Sequence, residues 1–121
     1  MVRRYSIIFV AFLCCICASQ GSGSISGAFL ASRLSASLND FGKSAMYTVE
    51  MIRNGNKQPE IYNDALLFLI AAGKFEEAYS LASAMEKLEI QSSALGLTLV
   101  IGKIKEKQFD RAIELVVEFG D

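Results

Sequence analysis

The sequence predicts an all-α fold made of three antiparallel helix pairs stacked side by side, and three observations carry that prediction. Phe41, Phe75 and Phe109 recur at a spacing of 34 residues, the length of one helix–turn–helix unit in a solenoid. Other positions share the period. Small residues follow each phenylalanine by three (Ser44, Ala78, Ala112), and large apolar ones by ten (Met51, Met85, Phe119). The composition agrees: a single proline stands among 121 residues rich in good helix formers, with 52 % apolar and 21 % charged residues.

Six helices are expected, over Ser26–Leu38, Phe41–Arg53, Pro59–Ala72, Lys74–Leu88, Ser92–Glu106 and Phe109–Phe119. Each break has a local cause. Asn39-Asp40 provides a turn and then a cap for the second helix. Asn54-Gly55-Asn56 stops that helix, and Pro59 suits the first turn of the third, where its missing N–H costs nothing. Gly73 separates the third from the fourth, and Ser92 and Ser93 are candidate caps for the fifth. Within a pair, the small residue at 44, 78 and 112 lets the two helices approach closely. The aromatic at 41, 75 and 109 is placed to fill the gap where the next pair docks. Ala65 aligns with Leu99, and Leu66 with Val100, so the register also holds in the first helices of the second and third units.

The pattern resembles the tetratricopeptide repeat, whose signature includes an aromatic shortly before a small residue in the second helix. Phe41-Gly42-Lys43-Ser44-Ala45, Phe75-Glu76-Glu77-Ala78 and Phe109-Asp110-Arg111-Ala112 carry it, and Ala71 to Ala78 is the fullest match. The family's early first-helix aromatic is met by Tyr62 but replaced by Ala28 and Gly96. Its closing proline is replaced by Asn56 and Ile90. The resemblance implies a right-handed α-solenoid over residues 25–121, with units at about 25–58, 59–92 and 93–121, the last incomplete. Ser26 to Arg33 followed by Asn39-Asp40 is also similar to the start of a group of bacterial exported repeat proteins.

Before the repeats, Arg3 and Arg4 precede an uninterrupted apolar run from Ile7 to Ala18, then small and polar residues through Ser24. This describes a secretory signal peptide cleaved after Ser19 or Gly21. The alternative is an uncleaved membrane anchor, since no charge occurs between Arg4 and Arg33. In either case the arginines hold the N-terminus in the cytoplasm and send the remainder across. The expected location is the periplasm, or the inner membrane facing it, with membrane contact only if the segment is retained.

Composition argues against several chemistries. Histidine is absent, and the three cysteines, Cys14, Cys15 and Cys17, all lie in the apolar run. The repeats therefore hold no thiol and no imidazole, so no metal site, cofactor or catalytic residue is expected in them. Net charge is −1, and −3 without Arg3 and Arg4; a nucleic-acid binder would carry a basic surplus. Glu76-Glu77 and Glu86/Glu89 interleave with Lys74 and Lys87 as a solvated face. Lys103, Lys105, Lys107 and Arg111 are offset by Glu106, Asp110 and Glu114. Gly21 to Ser24 lacks the Gly-Lys-Ser/Thr of a phosphate loop.

A protein-binding module remains, an adaptor or assembly factor. In the family this chain resembles, the first helices line a concave groove for a peptide or a partner's helix. Carried over by register, the groove residues are Phe29, Arg33, Asn63, Leu67, Leu97, Ile101 and Lys105. The sixth helix, with Ile113, Leu115, Val116, Val117 and Phe119, is apolar around much of its circumference and expects a neighbour. This points to a fragment of a longer array, or to self-association through that helix.

Overall fold

A computed structural model describes residues 24–120. The leader-or-anchor reading covers residues 1–24, and all of it but Ser24 lies outside the described residues. Ser24 is described, and its hydroxyl accepts from the Gly27 N–H at 3.1 Å as the N-cap of the first helix.

Among the described residues there are six helices and no strand: α1 (Ile25–Ser37), α2 (Phe41–Arg53), α3 (Pro59–Ala71), α4 (Phe75–Lys87), α5 (Ser93–Lys105) and α6 (Phe109–Gly120). Helix starts at 25, 59 and 93, and at 41, 75 and 109, reproduce the 34-residue period in the backbone. Each helix packs on its chain neighbour, and α3 also meets α5, so the arrangement is repeat-like and sequential. All twelve helix ends lie within one residue of those expected.

The five turns share one construction. Each helix from α1 to α5 ends on a left-handed residue: Asn39, Gly55, Gly73, Glu89 and Lys107, with φ from 56° to 91°. In each, the following N–H reaches back to a carbonyl five residues earlier, as in Asp40 to Ser35 (2.9 Å), Lys74 to Leu69 (2.8 Å) and Gln108 to Lys103 (2.9 Å). This Schellman closure satisfies helix-end carbonyls that would otherwise be bare. Asn39, Gly73 and Lys107 are one period apart, as are Gly55 and Glu89. The turn geometry therefore repeats even where the residue does not. A side chain in this region costs about 1–2 kcal/mol, partly offset because glycine frees the unfolded chain. Glu89→Gly and Lys107→Gly are each expected to raise stability by about 0.5–1 kcal/mol. Urea unfolding checks this, and an unchanged or lower midpoint in both variants would contradict it.

At the helix starts, Asp40 caps α2 as expected, accepting from the Lys43 N–H at 3.1 Å. The Lys43 ammonium beside it, with that backbone N–H, holds the Asp40 carboxyl below its ordinary value. Pro59 takes the first turn of α3. The α5 start differs from expectation: Ser92 occupies the N-cap position, but its hydroxyl makes no capping bond.

The core runs through the stack from α2 to α6, with Leu66, Ala78, Ala82 and Met85 fully enclosed. Small residues lie at the close approaches. Ser44 and Ala78 are wholly buried and Ala112 nearly so, as a tight contact within each pair requires. The buried hydroxyls of Ser44 and Thr98 are satisfied within the local chain: Ser44 donates to the Asp40 carbonyl (3.0 Å) and Thr98 to that of Ala94 (2.7 Å).

The aromatic at the start of each second helix behaves differently from unit to unit. Phe41 stacks on Phe68 of the next pair, with ring centroids 6.4 Å apart. Phe75 remains 45 % exposed. At the second junction the ring of Tyr79 lies over Gly102 instead. Residues 68 and 102 are one period apart, as are 45 and 79. Ala45 and Phe68 thus become Tyr79 and Gly102: a large side chain on the other helix keeps the joint filled.

Candidate functional site

The residues assigned to the groove fall at two register positions and a single site, all on first helices: 29/63/97, 33/67/101 and 105. Helical repeats bring equivalent positions onto one face, and the cross-helix contacts follow that face. The Arg33 guanidinium of α1 lies 5.1 Å from the Phe29 ring centroid and pairs with Asp64 of α3 at 2.6 Å. Burial pushes the Asp64 carboxyl above its ordinary value; Arg33 opposes that and Glu60 adds to it. Desolvation outweighs the ion pair, so Arg33 offsets a cost more than it contributes stability.

Asn63 of α3 supplies the cap missing from α5. Its side-chain oxygen accepts from the Ala94 N–H (3.1 Å) and from the Ser93 hydroxyl (3.0 Å). Of the two serines expected to cap α5, Ser93 donates to Asn63 and the Ser92 hydroxyl takes no part, so the helix start is held by the preceding unit. Lys105 pairs with Glu76 of α4. All three polar groove residues are thus engaged by partners within the chain, across 29 to 31 residues.

Two clefts organise the rest. One, of about 210 Å³, lies where the end of α3 and the start of α4 meet α5. Ile70, Phe75, Tyr79 and Ile101 give it apolar walls, and Glu76, Lys105 and Glu106 bring charge to it. Lys103 sits 5.8 Å from the centroid of Tyr79 and also pairs with Glu106 at 3.1 Å. The other, of about 380 Å³, is polar and shallow, lined by Arg33, Pro59, Glu60, Asn63, Asp64 and residues 91–93. Ile101 and Lys105 share the first cleft, and Arg33 and Asn63 the second. Leu67 and Leu97 line neither cleft and stay 45 % and 56 % exposed, with Phe29 at 36 %.

Chemically, the apolar cleft suits an aliphatic or aromatic side chain, with Lys105 as a donor and Glu76 as an acceptor at its edge. Among the described residues, no group of three acidic, histidine or cysteine side chains is placed to hold a metal. No helix of the described residues is long and apolar enough to cross a membrane.

Sequence reasoning missed Asp64, Glu76, Phe75 and Tyr79 as parts of this face. A signal for the charged pairs existed: opposite charges slightly less than one period apart, Arg33 with Asp64 and Glu76 with Lys105. The Tyr79 contribution had no such signal, because it depends on Gly102 leaving room. No family model, curated protein or solved structure matches this chain.

Proposed function

We propose that this chain is a tetratricopeptide-like, right-handed solenoid that works as a non-enzymatic protein-binding module, an adaptor or assembly factor. It engages a peptide or a partner's helix along its first helices. The supporting observations are Leu67 and Leu97, exposed on first helices, and the apolar cleft walled by Phe75, Tyr79 and Ile101. An open apolar cleft with a few charged groups at its edge is the kind of surface that takes a partner's side chain. The Arg33–Asp64 and Lys105–Glu76 pairs are exposed on at least one side, so a ligand's charged groups would exchange with them at small cost.

The repeats are exported and act in the periplasm or on the periplasmic face of the inner membrane. The support is the order of Arg3-Arg4, the Ile7–Ala18 run and the small polar residues after it. No catalytic role, cofactor or nucleic-acid partner belongs to this reading.

Leu67→Glu with Leu97→Glu is expected to abolish capture of a partner from envelope extracts, or binding on a peptide array, while helicity and melting temperature hold. Undiminished binding by the double variant would overturn the groove assignment. A periplasmic reporter fused after Asp121 tests export, and its inactivity would overturn the location.

A further inference from the structure

The two inner joints of the stack share one register but are filled differently, and the difference leaves an opening. At the first joint the Phe68 ring of α3 stacks on Phe41, with centroids 6.4 Å apart and planes inclined by 26°. One period later Phe75 takes the place of Phe41, while Gly102 takes the place of Phe68 and has no ring to offer. Tyr79 lies over Gly102, with its ring also beside the Lys103 ammonium. It covers the glycine without hiding Phe75, which stays 45 % exposed where Phe41 is half-buried. The cleft of about 210 Å³ opens at this place, with Phe75, Tyr79 and Gly102 all on its lining. Phe75 is thus one half of a ring pair whose second ring is missing at residue 102.

We propose that the cleft seats the phenylalanine side chain of a bound peptide, which stacks on Phe75 as Phe68 stacks on Phe41. This rests on the peptide-binding reading of the first helices and names the residue that the peptide must bring. Three observations select a phenyl ring. The first is the internal copy, since the chain itself seats a phenyl group at the equivalent place. The second is size. An apolar cavity of about 150 Å³ is enough to admit benzene, so 210 Å³ takes a phenyl group with its methylene. The third is charge. Lys105 is paired with Glu76, and Lys103 with Glu106, so neither sign is left over at the edge to select a charged side chain. The same edge groups remain able to meet the peptide's backbone N–H and C=O. An aliphatic side chain would fill the cleft but lose the stacking on Phe75, a difference of about fivefold in affinity.

The test uses the full chain in lipid nanodiscs and a blocked tripeptide, glycine–para-fluorophenylalanine–glycine, observed by fluorine NMR. The fluorine line broadens with the chain and not with empty nanodiscs. An unlabelled phenylalanine tripeptide displaces the probe at about one-fifth of the concentration that a leucine tripeptide needs. Phe75→Ala, at an exposed position, weakens binding about fivefold with helicity unchanged. Tyr79→Ala with Gly102→Phe rebuilds the first joint at the second, puts a ring of the chain on Phe75 and abolishes binding. Tyr79→Ala alone still binds, because Phe75 stays open. Three outcomes overturn the proposal: a line that the chain leaves unchanged, a leucine tripeptide that competes as well as phenylalanine, or undiminished binding by Phe75→Ala. The last holds whether or not the double variant folds. A chain that captures a partner from envelope extracts but leaves the line unchanged keeps the binding-module reading and loses this inference. A chain that broadens the line but captures no partner keeps the ring seat and loses the adaptor reading.

Discussion

Leu66→Ala is expected to lower the unfolding free energy by about 3 kcal/mol, within the roughly 2–5 kcal/mol seen for leucine truncation in a packed core. Leu66 is fully buried in α3 at the middle of the stack. There α3 packs on α2, α4 and α5. Helices on three sides hold the backbone in place, so the cavity cannot close by collapse. For a domain whose whole stability is on the order of 5–15 kcal/mol, the loss is large. It corresponds to a fall in melting temperature of roughly 4–8 °C for each kcal/mol. The control is the adjacent Leu67→Ala. Leu67 is 45 % exposed, and its truncation should change stability by no more than about 0.5 kcal/mol. Urea unfolding followed by circular dichroism separates the two. Equal losses would mean that α3 is rotated from the orientation described.

Gly102→Val is expected to lose about 2–3 kcal/mol through overpacking, at a site where propensity alone would predict a gain. Glycine inside a helix costs about 1 kcal/mol relative to alanine, so replacing it in an open helix stabilises. Here a Cβ would meet the Tyr79 ring, with Cζ at 3.0 Å and two further ring carbons nearer still. The ring must leave the joint between α4 and α5, which takes it out of the apolar cleft and away from Lys103. The cause is identified by a second substitution. In a Tyr79→Ala background the ring is gone, and Gly102→Val should cost at least about 1 kcal/mol less than in wild type, a coupling typical of residues in contact. Strictly additive effects would show that something other than Tyr79 limits the space at residue 102. Gly96 is also crowded, by Phe119 with its Cγ at 2.5 Å from a built Cβ. That side chain belongs to the exposed end of α6 and can shift.

The two variants mark the difference between what a local pattern reveals and what only packing reveals. The alignment of Leu66 with Val100 one period apart on first helices was legible, but that Leu66 is fully enclosed while Val100 is half-buried is set by packing. The helix boundaries were legible for the same kind of reason: proline, glycine and Asx residues act within a few residues of themselves. The turns after α4 and α5 were harder. Glu89 and Lys107 give no left-handed signal, and they adopt that geometry because the chain must reverse where equivalent turns do. The cap of α5 was misread. Ser92 and Ser93 have the right chemistry, but Asn63, one unit earlier, is nearer the open N–H groups. The polar groove residues were placed on the correct helices without their partners, since Asp64 and Glu76 are brought near only by stacking.

By itself the sequence determined the number of helices, their lengths and the period of 34, because these follow from local propensity and from apolar spacing that any isolated helix shares. The tertiary structure alone decided which side chains fill each joint, which charges are already paired, and which faces are left uncovered. Those outcomes depend on shape and distance between units. Phe41 on Phe68 and Tyr79 on Gly102 solve the same joint with opposite residues, and no rule of spacing distinguishes them. The same reasoning separates Val116 from Ala82. They hold the same place in the repeat, and among the described residues a following helix packs over Ala82 and none over Val116.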